Sequence, residues 1–183
     1  MHTCVRAQSV FFLMIDIQER LLPAIFEKER VIQNSVRLLA AARDFEAPLI
    51  VTEQYPKGIG PMVPELAGLL PPGTPCLTKT AFSCCGAEGF NDAVNATGRE
   101  TAVLFGIETH ICVLSTAMDL LARGMKVVLA ADACSSRTEA NYALGLAAVR
   151  DCGGLVVPTE TVVYQMMGEA GTPQFKALLP LFK

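Results

Sequence analysis

Short runs of uninterrupted apolar residues, separated by stretches of helical period, constrain this chain more than any other feature. The first runs through Val10, Phe11, Phe12, Leu13, Met14 and Ile15 and stops abruptly at Asp16. A strand with one face in water alternates polar and apolar residues; a strand apolar throughout is covered on both faces. Further runs at 48–52, 76–78, 101–105, 126–131 and 155–158 predict five more strands after the one at 9–15. Between them, helical spacing occupies 31–45, 88–97 and 111–123, the last closed by Gly124, and a helical tail follows the sixth strand. Ser136, Arg137, Thr138 and Glu139 have capping-box spacing and open a helix that stops at Gly153 and Gly154. The alternation predicts an α/β domain over 1–183: a Rossmann-like, three-layer arrangement with a six-stranded, mainly parallel sheet between helices.

Composition narrows the function. Of 183 residues, 51% are hydrophobic and 18% charged, which excludes a globally disordered chain. Fifteen basic against 18 acidic residues give a net charge of -3, without the basic excess of a nucleic-acid binder. No apolar run approaches the ~20 residues of a membrane span, and no secretory signal is recognisable. Seven cysteines, an odd number with no Cys-x-x-Cys pair, point to free thiols and a reducing, cytoplasmic compartment. The vicinal Cys84 and Cys85 read as two unrelated thiols. With two histidines, one of them His2 at the terminus, zinc-ligand spacing is missing, and neither a metal nor a cofactor is assigned.

In open parallel sheets ligands bind beyond the carboxyl ends of the strands. The residues there are Asp16 after the first strand, Lys79 after the third and the segment from Gly106 to Cys112 after the fourth. A carboxylate, an amine and a thiol are what cysteine nucleophilic catalysis requires. Cys112 falls in the first turn of a predicted helix, where free N–H groups and the dipole lower a thiol's pKa and can hold an oxyanion. Equally, it is a small hydrophobe packed under the sheet. Asp16 is either a base or a cap on a neighbouring loop. Lys79 takes its meaning from its company. His110 is two residues from Cys112 and so does not face the same point. The stretch 53–75 holds six of the eleven prolines and is expected to be a long loop covering the site.

Three ordered motifs carry a resemblance: Met14-Ile15-Asp16-Ile17-Gln18, Thr78-Lys79-Thr80-Ala81-Phe82-Ser83 and Gly106-Ile107-Glu108-Thr109-His110-Ile111-Cys112-Val113. The chain resembles the isochorismatase-like cysteine hydrolases over roughly residues 9–180. Thr52-Glu53-Gln54-Tyr55-Pro56-Lys57-Gly58 and Asp132-Ala133-Cys134-Ser135-Ser136-Arg137 look like the isochorismatase-domain-containing branch. The resemblance implies an Asp16–Lys79–Cys112 triad, a non-proline cis peptide between Ile107 and Glu108, and an oxyanion hole from the Glu108 and Cys112 N–H groups. It also implies a homo-oligomer. Isochorismatase itself lacks this cysteine, so its presence here favours acyl chemistry. Metal-binding nicotinamidases carry an aspartate and histidines after the second strand, where this chain has Thr52, Glu53 and Gln54.

The expected function is hydrolysis of a small non-peptide amide or related carbonyl compound through a thioester. Gln18, Tyr55, Phe82 and Ile107 are expected to line the substrate pocket. The rivals are a binding or scaffold protein that keeps the triad, and a thiol redox protein with a resolving cysteine near Cys112.

Overall fold

The computed structural model describes residues 5–183; His2 and Cys4 lie outside the described residues. Six strands form one sheet: β1 (Val10–Ile15), β2 (Leu49–Gln54), β3 (Cys76–Lys79), β4 (Thr101–Ile107), β5 (Lys126–Ser135) and β6 (Leu155–Val157). Their order is β3-β2-β1-β4-β5-β6, and every pairing is parallel. The chain moves outward from β1 to β3, then returns to β1's other side and moves outward again. Right-handed crossovers in opposite directions put their helices on opposite faces. Helix α1 (Lys28–Asp44) packs with α7 (Thr159–Met167) and α8 (Pro173–Leu178), whereas α5 (Leu114–Ala122) and α6 (Glu139–Asp151) pack on each other. The intervening α4 (Phe90–Thr97) lies beside the turn Cys84–Gly86, which α5 also touches. The central strands β1 and β4 are buried at every residue, as their unbroken apolar runs require.

The reversal of strand order opens a crevice at the ends of β1 and β4. Here Ile15 pairs with Gly106 so closely that a Cβ on Gly106 would meet the Ile15 carbonyl oxygen at 2.1 Å. At φ 138°, Gly106 also holds a conformation that side chains oppose.

Several local expectations are corrected. The prolines of 53–75 do not make a structureless loop: α2 (Pro56–Ile59) and α3 (Pro64–Ala67) each begin at one, where its fixed φ suits a first helical turn. Strand β5 runs past Asp132 to Ser135, because that carboxylate turns aside to accept from the Thr159 N–H and hydroxyl at 2.7 Å, anchoring α7. The cap of α6 is Thr138, which accepts from the Asn141 N–H; Ser136 bonds His110 instead. Cys112 lies not in an α-helical turn but in a π turn, Thr109–Val113, preceding α5.

Candidate active site

Asp16, Lys79 and Cys112 come together at the switch-point crevice from three strand ends. Asp16 is the first residue past β1 and turns the chain with φ 57°, a left-handed conformation that aspartate tolerates better than most residues. Its carboxylate is fully buried. Thr52 on β2 donates to Oδ1 at 2.8 Å, and the Lys79 Nζ lies 2.6 Å from Oδ2. Lys79 also donates to Gln54 Oε1 at 2.6 Å and to the Phe82 carbonyl at 3.0 Å. Three hydrogens thus have three close acceptors. Burial pulls the lysine's pKa down, but the charge and hydrogen bond of Asp16 outweigh it and the net movement is upward.

Cys112 is 4% exposed. Burial, then the Asp16 charge, push its thiol up to about 12, against the opposing pull of Lys79. This reverses the expectation of a thiolate stabilised by a helix terminus. The π turn does not outweigh removal from water and a neighbouring carboxylate. At rest, the arrangement is a protonated thiol beside an Asp16–Lys79 ion pair.

The turn ahead of Cys112 also differs from expectation. No peptide among the described residues is cis; Glu108 redirects the chain from β4 by adopting φ 60° and ψ 57°. The Glu108 side chain is buried, accepting from Arg137 Nε at 3.0 Å, with His110 Nδ1 3.5 Å from its other oxygen. His110 stands 2.9 Å from Ser136 Oγ, so its ring has partners of its own. Helix α6 packs directly on this turn through Gly145, where a Cβ would lie 2.9 Å from the His110 nitrogen.

The four residues expected to line the pocket divide into two pairs. Tyr55 (52% exposed) and Phe82 (62% exposed) stand at the surface. Tyr55 borders a cleft of about 520 Å³ that Lys79, Thr80 and Glu88 also line. Ile107 and Gln18 are buried. The Gln18 amide donates to the carbonyls of Gln54 and Gly60 and accepts from the Gln54 N–H, pinning the proline-rich segment to β1's end. Glu53 serves the same segment by accepting from the Met62 N–H.

Three neighbours of the site were not anticipated: Thr52, Gln54 and Cys84. The Cys84 Sγ lies 3.5 Å from Thr52 Oγ1, and burial, then Asp16, push its thiol up to about 11. The Thr116 hydroxyl accepts from the Cys84 N–H and donates to the Cys112 carbonyl, tying the two segments together. The polar 52 and 54 at the end of an otherwise apolar run were the available signal. Among the described residues, no group of three His, Cys, Asp or Glu side chains is placed to hold a metal ion.

Known proteins resemble this chain in sequence and in fold. Isochorismatase domain-containing protein 2 from Danio rerio is 41% identical over 172 residues, covering 92% of this chain and 84% of the relative. The structure of MAR1 ribonuclease from Caenorhabditis elegans superimposes with a TM-score of 0.93 at 34% identity, covering 98% of this chain and 92% of the other. The YcaC gene product from Escherichia coli, described as an octameric hydrolase of unknown specificity, has the same fold, with a TM-score of 0.93 at 24% identity over 100% and 90% of the two chains. The Isochorismatase domain model matches residues 10–161, from the first residue of β1 into α7, and the chain therefore belongs to the isochorismatase family.

Proposed function

We propose that this member of a hydrolase family cleaves a small non-peptide amide, or a related carbonyl compound, through a thioester on Cys112. Asp16 takes the proton from Cys112 Sγ as the sulfur attacks the carbonyl carbon. The N–H groups of Glu108 and Cys112 receive the oxyanion, and Lys79 balances the Asp16 charge. Collapse of the tetrahedral intermediate expels the amine, which takes its proton from Asp16. Water then adds to the thioester, giving up a proton to Asp16, and release of the acid returns that proton to sulfur. Tyr55 and Phe82 receive the substrate. Gln18 and Ile107 act from behind, by shaping the strand ends.

The observation that carries this reading is the fully buried Asp16–Lys79 pair at 2.6 Å beside the buried Cys112 thiol. A base is already in place where the nucleophile must lose a proton. The test is an acyl-amide library offered to wild type and Cys112→Ala. Turnover by wild type, reduced about a thousandfold or more in a variant of unchanged melting temperature, is expected. Undiminished turnover by Cys112→Ala sinks the mechanism.

The C. elegans relative is described as a ribonuclease. The net charge of -3 and the burial of all three reacting groups favour a small substrate over a polyanion. RNA belongs in the same assay, and Cys112-dependent cleavage of it would replace the amide reading. That the six described cysteines are all free fits a reducing, cytoplasmic compartment. Exposed Met118 on α5 and Leu144 on α6 supply an apolar face for self-association.

A further inference from the structure

Two side chains of β2 grip the two charges of the site, and neither belongs to the reacting set. Residues two apart on a strand share a face, so Thr52 and Gln54 point the same way. Thr52 is the register partner of Ile15, one residue before Asp16; Gln54 is the register partner of Lys79. The Thr52 hydroxyl donates to Asp16 Oδ1 at 2.8 Å, while Gln54 Oε1 accepts from Lys79 Nζ at 2.6 Å. Both holders are themselves fixed. Thr52 spends its only hydrogen on Asp16, so the Cys84 S–H, 3.5 Å away, is the donor to Thr52 Oγ1. Gln54 Nε2 donates to the Thr80 carbonyl at 2.9 Å, which sets the amide's orientation and presents its oxygen to the lysine.

We propose that Thr52 and Gln54 are positioning residues, which hold the Asp16 carboxylate and the Lys79 ammonium in the orientation from which Asp16 removes the Cys112 proton. The proposal rests on the function proposed above, and it assigns β2 a part in the chemistry without any reacting group. A carboxylate held by the Thr52 hydroxyl cannot rotate out of line with the Cys112 thiol, so proton transfer starts from a fixed geometry. An ammonium clamped by Gln54 cannot swing away from the sulfur.

The experiment reads Cys112 alone and needs no substrate. Iodoacetamide labelling of Cys112 is followed by mass spectrometry from pH 7 to 10, with Cys112→Ala to identify the labelled peptide. The charged and titratable groups facing that sulfur are Asp16 from β1's end and Lys79 from β3, with the Cys84 thiol beside them. Thr52→Val removes the hydroxyl with little change of shape. It is expected to react about tenfold more slowly at each pH, a displacement of the profile by about one unit upward, because the freed carboxylate no longer lines up with the thiol. Thr52→Ser, which restores the donor, is expected to follow wild type. Gln54→Met is expected to move the profile in the same direction as Thr52→Val.

A Thr52→Val profile that superimposes on wild type, or moves to lower pH, overturns the proposal, as does a Thr52→Ser profile that fails to return. Thermal unfolding checks that each variant is folded. Should Thr52→Val not fold, Gln54→Met decides by the same two outcomes. A protein that turns over no amide sinks the hydrolase reading and leaves this measurement intact.

Discussion

With its thiol pushed up to about 12 by burial and the Asp16 charge, Cys112 keeps its proton at neutral pH. A preformed thiolate would react with any electrophile small enough to enter; a thiol waiting on a base reacts when the base can act. Labelling of Cys112 by iodoacetamide is accordingly expected to rise about tenfold per pH unit, with no plateau below about pH 10. The exposed Cys76 and Cys152 are expected to label first. A plateau near pH 7 in the Cys112 profile would contradict the buried, carboxylate-flanked environment. Gly106 makes a second demand at this scale. Gly106→Ala drives a Cβ into the Ile15 carbonyl in a backbone conformation alanine resists, and should cost about 3–5 kcal/mol in urea unfolding.

Among elements, what was legible in the sequence and what was not have separate physical origins. The central strands β1 and β4 are visible because burial on both faces keeps their runs apolar, and Asp16 stands out because it ends such a run. The short edge strands β3 and β6, largely exposed or half-buried, are visible mainly through the turn residues that bound them. The extension of β5 was hidden because Asp132 is polar for a tertiary reason, anchoring α7. The π turn was hidden because its residues, Thr109 to Val113, pattern like the start of an α-helix. Thr52 and Gln54 stand in the sequence only as part of a branch motif, because their partners come from β1 and β3, which nothing local to β2 announces. The cap of α6 is a sharper case, since two hydroxyls competed for it. Thr138→Ala is expected to lower stability by about 1 kcal/mol, and Thr138→Ser, which keeps the capping oxygen, to lie within a few tenths of wild type. A Thr138→Ala variant as stable as wild type in urea unfolding would mean that Thr138 is not the cap.

The molecule as a whole carries its buried titratable groups as a pH dependence of stability. Cys84, Cys112 and Cys134 all have thiols raised above 9.0, and Lys79 is raised above 10.5. In each case the unfolded chain gives up its proton at a lower pH than the folded one. Above about pH 9 the unfolded state thus binds fewer protons, and stability falls as pH rises. The lysine's contribution is complete below 10.5 and is lost as pH climbs through its folded value. Replacing one of these thiols, as in Cys112→Ala, should flatten the decline between pH 9 and 11 by about 1.4 kcal/mol per unit. Urea unfolding across that range measures it, and an unchanged slope would mean that the thiol is not protected by the fold.

The reversal of strand order has a consequence for engineering. β1, β2 and β3 bring Asp16, Thr52, Gln54 and Lys79, while β4 leads into Cys112; one covalent connection, through α4, joins the two sets. A cut in the turn around Gly98 and Arg99 would divide Asp16 and Lys79 from Cys112 without severing a strand. Under the proposed function neither fragment alone would hold all three groups, so Cys112-dependent turnover would report their reunion and the chain would serve as a split reporter.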